Sequence, residues 1–149
     1  MFISDENKKR LIRESSANES GRSHLLLHES PEDAIQEIVF CIQPSTVINV
    51  HKHKRGTETI TCLQGSMAVS IFNDDVLNIY HLNKNNPVLK FNPLSWHTYT
   101  SLEKDTIGLE IKEGPYLKEN FINHNQLNEK IERQKLNNTI IKRVEDDNG

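Results

Sequence analysis

Cysteine and long apolar runs are both scarce in this sequence, and each scarcity argues against a class of protein. Only two of the 149 residues are cysteines, Cys41 and Cys62, and they form neither a C-x-x-C motif nor a zinc-finger spacing. Since both lie in apolar segments, we expect reduced, buried thiols in a cytoplasmic protein rather than a disulfide framework. The N-terminus lacks a signal-peptide pattern and no apolar run approaches membrane-spanning length, so we expect no association with a membrane.

An excess of positive charge is also missing, because the formal net charge is -3. Domains dedicated to nucleic acid are normally basic. The basic stretch HKHKR at 51–55 has no interleaved aromatics and no second basic cluster, so we expect no nucleic-acid partner. A serine or cysteine hydrolase is disfavoured too, since no G-x-S-x-G motif is present and neither cysteine has an activated setting.

The sequence is rich in short apolar or alternating segments that Pro, Gly, Asn and Asp separate between residues 22 and 116. This strand–turn spacing is typical of an all-β sandwich or barrel. Residues 5–21 predict a short helix, residues 125–144 predict an amphipathic helix, and the final EDDNG reads as disordered. The predicted parts are a helical segment at 1–21, a barrel at 22–121, and a C-terminal helix with a disordered tail at 122–149.

The stretch HKHKRGTE, which ends at Glu58, carries the strongest chemical signal. If a strand ends at His53, His51 and His53 point to the same face of it. If Gly56 then turns the chain back, Glu58 lies opposite them on the next antiparallel strand. Two imidazoles and a carboxylate would bind a divalent transition metal. His97, which opens a strand after a Pro-containing turn, supplies a fourth candidate ligand. An H-x-H pair alone is more often solvated, but the four residues together are far more specific.

This pattern resembles the two-part motif of the cupin superfamily. The first part matches in spacing at His51, His53, Glu58 and Gly65. The second part is looser: His97 matches, but the turn NPLS has a displaced proline and no glycine, and Ser45 stands where the family usually has glycine. The resemblance implies a single cupin barrel (a double-stranded β-helix or jelly roll) with short N-terminal and C-terminal helices. The ligand set is compatible with Fe, Mn, Ni, Zn or Cu, and does not choose among them.

A closer resemblance is to the WbuC-type cupin fold metalloproteins, which are often encoded with bacterial O-antigen and surface-polysaccharide genes. It runs from about Arg22 to Phe121 and is carried by that arginine with HLLLH, by SPEDAIQ, HKHKRGTET, GSMAVSIFNDD and SWHT, and by LEIKEGPY. The resemblance implies a metal-binding protein. Its expected ligand is a small polar molecule, such as a sugar or nucleotide-sugar in surface-polysaccharide metabolism.

Four further residues are candidate site residues. Arg22 and His28 precede the barrel and could hold an anionic or hydroxyl-rich ligand; a surface salt bridge and a satisfied core histidine are the alternatives. Glu110 is either solvated or buried in the site, where a raised pKa would suit a general acid or base. Tyr99 shares the face of His97 and could act in the pocket, although an aromatic in the barrel wall is commoner.

Three functions are compatible with these residues. A metal-dependent enzyme, such as an isomerase, an epimerase or a dioxygenase, would use the free coordination positions of the metal. A non-catalytic module would hold or sense a ligand in the same pocket. A metal-independent sugar isomerase or epimerase would rely on histidine acid–base catalysis, but would not need the complete ligand set.

The segment AIQEIVFCI at 34–42 carries more apolar residues than one sheet face can use. The N-terminal helix offers only Leu11, Ile12 and Ala17 to cover the second face. We therefore expect a symmetric homodimer packed sheet against sheet near this strand, with the C-terminal helix able to add to the interface.

Overall fold

A computed structural model describes residues 2–148, which form ten β-strands, two α-helices and one short 3-10 helix. The helices are α1 (Asp5–Ala17), α2 (Lys130–Asn148) and the 3-10 helix Lys118–Asn120. The strands are β1 (Arg22–Leu26), β2 (Ile35–Ile42), β3 (His51–His53), β4 (Glu58–Gln64), β5 (Met67–Asn73), β6 (Val76–Leu82), β7 (Val88–Phe91), β8 (Trp96–Ser101), β9 (Thr106–Glu113) and β10 (Phe121–Asn123).

The strands form two antiparallel sheets of five strands each. The first has the order β1-β2-β9-β4-β7 and the second β10-β3-β8-β5-β6, so most neighbours in a sheet are distant in the chain. Side chains from both sheets meet in one apolar core, which includes Phe40 and Ile60 from the first sheet and Met67 and Val69 from the second. The predicted all-β jelly-roll barrel with two flanking helices is confirmed.

Helix α1 covers the outer face of the first sheet. A capping box around Ser4 begins the helix, and the helix ends at Ala17, earlier than predicted. Leu11 is fully buried against Val39, Cys41 and Ile107. The premise that α1 is too small to cover the second face of β2 is therefore wrong, because Leu11 packs on that face and the partly buried Ile3 and Ile12 add to the same cluster.

Helix α2 covers the outer face of the second sheet with Leu136, Ile140 and Val144. It begins at Lys130, later than predicted, after a turn in which the Asn128 side chain bonds both backbone groups of Val50. The prediction of a disordered tail was wrong for residues 145–148, which continue the helix from the buried Val144; Gly149 lies outside the described residues. Neither helix has the length and apolar character needed to cross a membrane within residues 2–148.

The segment STVINVHKH at 45–53 predicts one strand, but only its last three residues form β3. The residues just before them bond elsewhere: the carbonyl of Ile48 accepts from Arg133, and Asn128 bonds both backbone groups of Val50. Strand β10 was not predicted; it pairs with β3 and places Phe121 opposite His53. Both buried cysteines are unpaired, as expected.

Candidate metal centre

Three of the predicted ligands come together on the inner face of the second sheet. His51 and His53 share a face of β3, and His97 on β8 lies directly opposite His51 in the strand register. One ring nitrogen from each of the three lies within 4.8 Å of the other two. This histidine cluster (His51, His53 and His97) could hold a metal ion.

Backbone carbonyls fix the tautomers of two of these rings. Nδ1 of His51 lies 2.8 Å from the carbonyl oxygen of Asn49, and Nδ1 of His97 lies 2.8 Å from that of Ser95. A carbonyl can only accept, so each Nδ1 carries the proton and each Nε2 keeps its lone pair. Histidines that ligate metals are commonly oriented in this way.

Glu58 reaches the histidine cluster from the opposite sheet. The prediction that β3 and β4 are adjacent antiparallel strands was wrong: β4 belongs to the first sheet, because the turn through Gly56, at φ +108, carries the chain across the barrel. The Glu58 side chain is still aimed as predicted. Its Oε2 lies 3.6 Å from Nε2 of His53 and 3.9 Å from Nε2 of His97.

Seven buried side-chain nitrogen or oxygen atoms lack a hydrogen-bond partner among residues 2–148. Three of them belong to candidate metal ligands: Nε2 of His53, Nε2 of His97 and Oε2 of Glu58. Buried polar atoms nearly always have a partner, so three such atoms facing one another require an explanation. A divalent cation accepts electron pairs from imidazole nitrogen and carboxylate oxygen alike, and the residues present therefore fit a transition metal.

The pKa values of the histidines suit this role. Burial, with the nearby His51 ring as the next cause, lowers the pKa of His53 to about 4 and that of His97 to about 3. Burial also lowers the pKa of His51. All three imidazoles are therefore neutral at pH 7, which is the form that binds metal.

Tyr99 lies behind Glu58 and not at the mouth of the barrel. Its buried hydroxyl donates a hydrogen bond to Oε1 of Glu58 at 2.5 Å and lies 3.4 Å from Oε1 of Glu110. Burial and the nearby Glu110 charge raise the pKa of Glu58 well above its usual range. The same burial and the charge of Glu58 raise the pKa of Tyr99, so the phenol stays a donor.

Glu110 faces the site from β9, which decides between the two positions that the sequence left open. Burial alone would raise its pKa, but hydrogen bonding with Glu58 and the Lys112 ammonium, 3.7 Å away, lower it to about 2. The predicted raised pKa was therefore wrong for Glu110. The carboxyl with the raised pKa is Glu58.

Lys112 belongs to this group and was missed by the sequence reasoning. Its ammonium also lies 5.0 Å from the ring centre of Phe121. The signal that could have found it is the strand alternation of β9, because a residue two positions after an inward-facing Glu110 faces inward as well.

Arg22 and His28 occupy different surroundings. Arg22 and His51 line a common cavity of about 220 Å³ at the mouth of the barrel. His28 does not line this cavity: its Nδ1 accepts the backbone N–H of Glu37 at 3.0 Å. The structure thus gives His28 the satisfied environment that was the alternative to a ligand contact.

The loose part of the motif forms an ordered turn despite its missing glycine. The side chain of Asn92 accepts the N–H of Leu94, and the carbonyl of Pro93 accepts the N–H of His53. The turn before β8 is therefore tied to β3. The glycine of the first part is strictly needed, since a Cβ at Gly65 would lie 2.6 Å from Oγ1 of Thr106.

Residues 3–81 match the model of a family described as a domain of unknown function, DUF6016. This match covers more than half of the chain. The chain belongs to the DUF6016 family. No curated protein matches it.

Solved structures similar to this DUF6016 chain include the oxalate decarboxylase of Lactobacillus farciminis in a formate complex. They share 21% identity and a TM-score of 0.53 over 63% of this chain and 28% of the other. Oxalate oxidase in complex with the substrate analogue glycolate shares 12% identity and a TM-score of 0.55, over 72% of this chain and 57% of the oxidase. Bacillus subtilis oxalate decarboxylase, whose structure was studied for its Mn(II) centres, shares 16% identity and a TM-score of 0.54, over 63% of this chain and 25% of the decarboxylase.

These likenesses show the cupin fold. The DUF6016 chain spans less than two thirds of the length of each of these three proteins.

Proposed function

We propose that this protein binds one divalent transition metal through His51, His53, Glu58 and His97. The observation that carries the proposal is the group of three buried, unpartnered ligating atoms on His53, His97 and Glu58. The Mn(II) centres of one structurally similar decarboxylase support Mn as one candidate among Fe, Mn, Ni, Zn and Cu.

We further propose that the site acts on a small polar molecule at the mouth of the barrel. Three imidazoles and one carboxylate leave coordination positions free, and the bound metal would supply Lewis-acid or redox chemistry there. Tyr99 holds the Glu58 carboxylate in place by its hydrogen bond. Glu110 and Lys112 form an ion pair next to the site.

The resemblance to WbuC-type cupin fold metalloproteins supports a sugar or nucleotide-sugar of surface-polysaccharide metabolism as the ligand. A second candidate is a non-catalytic module that holds or senses its ligand. Two contacts favour this candidate, because they occupy both predicted acid–base groups: Tyr99 is hydrogen-bonded to Glu58, and Glu110 is paired with Lys112. A metal-independent isomerase would not require a complete ligand set.

Metal content tests the proposed site directly. Protein purified without chelator and measured by elemental analysis should contain about one transition-metal ion per chain. The double variant His51→Ala, His53→Ala should contain almost none, because two of the four ligands are lost. The matched control His81→Ala changes a histidine on β6, outside the cluster, and should keep the wild-type content. Full metal content in the double variant would contradict the proposal.

A further inference from the structure

We infer that the mouth of the barrel binds a small carboxylate through the guanidinium of Arg22, beside the histidine cluster. This inference rests on the proposed metal site and specifies the chemical class of its ligand.

The Arg22 side chain points away from helix α1. The neighbouring Ser23 donates its hydroxyl to the carbonyl of Leu11, so Ser23 faces helix α1. Because side chains alternate along a strand, Arg22 faces the opposite side of β1, toward the barrel mouth. There Arg22 and His51 line the same cavity, which places a fixed positive charge next to a metal-ligating imidazole.

The positive charge of Arg22 has no partner within residues 2–148. Two other cations do have partners: Lys112 pairs with Glu110, and the buried Arg133 donates to the Ile48 carbonyl. Arg22 makes no salt bridge and its guanidinium donates no hydrogen bond in the part of the chain that the structure describes. The other residues lining the cavity are Val47, Ile48, Asn49 and Asn123, none of which is acidic.

The net charge of the metal-loaded site would favour an anionic ligand. A divalent cation exceeds the single negative charge of Glu58, and Glu110 and Lys112 offset each other. Arg22 adds a further positive charge, so an anion gains most from this cavity. A guanidinium presents a planar fork of donors that matches the two oxygens of a carboxylate, and the amides of Asn49 and Asn123 can bond the rest of the ligand.

The cavity beside Arg22 is small. A cavity of about 220 Å³ has the volume of roughly seven molecules of liquid water. An organic acid of a few carbons fits within this volume. Val47 and Ile48 give one wall an apolar surface suited to a short carbon chain.

The experiment compares charged and neutral forms of the same small molecule on protein loaded with Co(II). Elemental analysis first establishes the metal content of each protein, which tests the proposed function separately. Calorimetric titration then measures glycolate and pyruvate against their neutral amides, glycolamide and pyruvamide. The variants are Arg22→Gln, Arg22→Lys and the control Arg13→Gln, which removes one positive charge from the exposed surface of α1.

We expect the carboxylates to bind more tightly than the amides to wild-type protein. Arg22→Gln should weaken carboxylate binding roughly tenfold or more without changing metal content, because one charge-assisted hydrogen-bond pair is lost. Arg22→Lys should fall between, since it keeps the charge and loses the fork. Arg13→Gln should bind like wild type.

Equal affinity for glycolate in wild type and Arg22→Gln, at full metal content, would overturn the inference and leave the metal site standing. So would inorganic phosphate binding more tightly than either carboxylate. Loss of metal in Arg22→Gln would assign Arg22 to the integrity of the metal site and also overturn the inference. Wild-type protein that takes up no metal would contradict the proposed function itself.

Discussion

At the scale of single residues, the contact between Tyr99 and Glu58 decides how the candidate site is built. Glu58 is 1% exposed and presents one oxygen to Tyr99 and the other to the histidines. A carboxylate can rotate, so a donor on one oxygen fixes where the other points. Groups that hold ligands in this way contribute strongly to metal affinity.

Removing this donor should weaken metal binding without unfolding the protein. We expect Tyr99→Phe to lower the affinity for Co(II) about 10- to 100-fold, as measured by competition with a chelating dye. The control Tyr80→Phe removes the hydroxyl of a partly exposed tyrosine on β6 and should bind Co(II) like wild type. Unchanged affinity in Tyr99→Phe would show that the hydrogen bond does not position Glu58.

The residues of the site differ in how far the sequence could predict them. His51, His53 and Glu58 lie within eight consecutive positions, so alternation and spacing were enough to group them. The contact of Tyr99 with Glu58 joins positions 41 residues apart and depends on strands from two sheets. Lys112 could be included only once Glu110 was known to face inward.

At the scale of secondary-structure elements, helix α2 fixes the segment that leads into β3. The buried guanidinium of Arg133 donates to the Ile48 carbonyl at 2.8 Å and to Oγ1 of Thr98 at 3.2 Å. Asn128 bonds the N–H and the carbonyl of Val50. These bonds fix the backbone just before His51 from the outer side of the sheet.

Replacement of Arg133 should destabilise the protein more than an ordinary surface change. We expect Arg133→Ala to lower the free energy of unfolding by about 1–3 kcal/mol, because charged hydrogen bonds to buried acceptors are lost. Urea denaturation followed by circular dichroism measures this. Arg143→Ala, which removes an exposed contact with the Leu77 carbonyl, serves as the matched control and should cost less than about 1 kcal/mol. Equal effects of the two variants would contradict the clamping role.

The elements show where local patterns suffice and where they do not. The segment VLNIYHL at 76–82 predicts a strand, and β6 has these limits because apolar alternation and flanking turns mark both ends. Strand β3 is shorter than predicted because Arg133 and Asn128, far away in the chain, bond the backbone of Ile48 and Val50. The predicted pairing of β3 with β4 was also wrong, because a turn with glycine fits a hairpin and a crossing between sheets equally well.

At the scale of the whole molecule, the homodimer stays a prediction, but the uncovered face of β2 no longer supports it. Helix α1 covers the second face of β2 within one chain. One surface available to a partner is the free edge of β1, where Leu26 is 53% exposed; Ile35, at the start of the neighbouring strand β2, is 60% exposed. An open strand edge with apolar residues is a common place for chains to pair.

If the dimer forms there, a charge on this edge should disrupt it. We expect sedimentation equilibrium at micromolar concentration to give twice the chain mass of 17.2 kDa for wild type. Leu26→Glu should shift the protein toward the monomer, whereas Val76→Glu on β6, an equally exposed apolar position, should not. A single species of 17.2 kDa in wild type would refute the dimer.

The crossing of the chain between β3 and β4 has a thermodynamic consequence. Because the histidines belong to one sheet and Glu58 to the other, a bound ion would be a tie between the two halves of the barrel. Its binding energy would then oppose separation of the sheets, and the population of open barrels would follow the free metal concentration. At one hundred times the dissociation constant, such linkage amounts to about 2.7 kcal/mol. The ion would thus set the rigidity of the barrel as well as its chemistry.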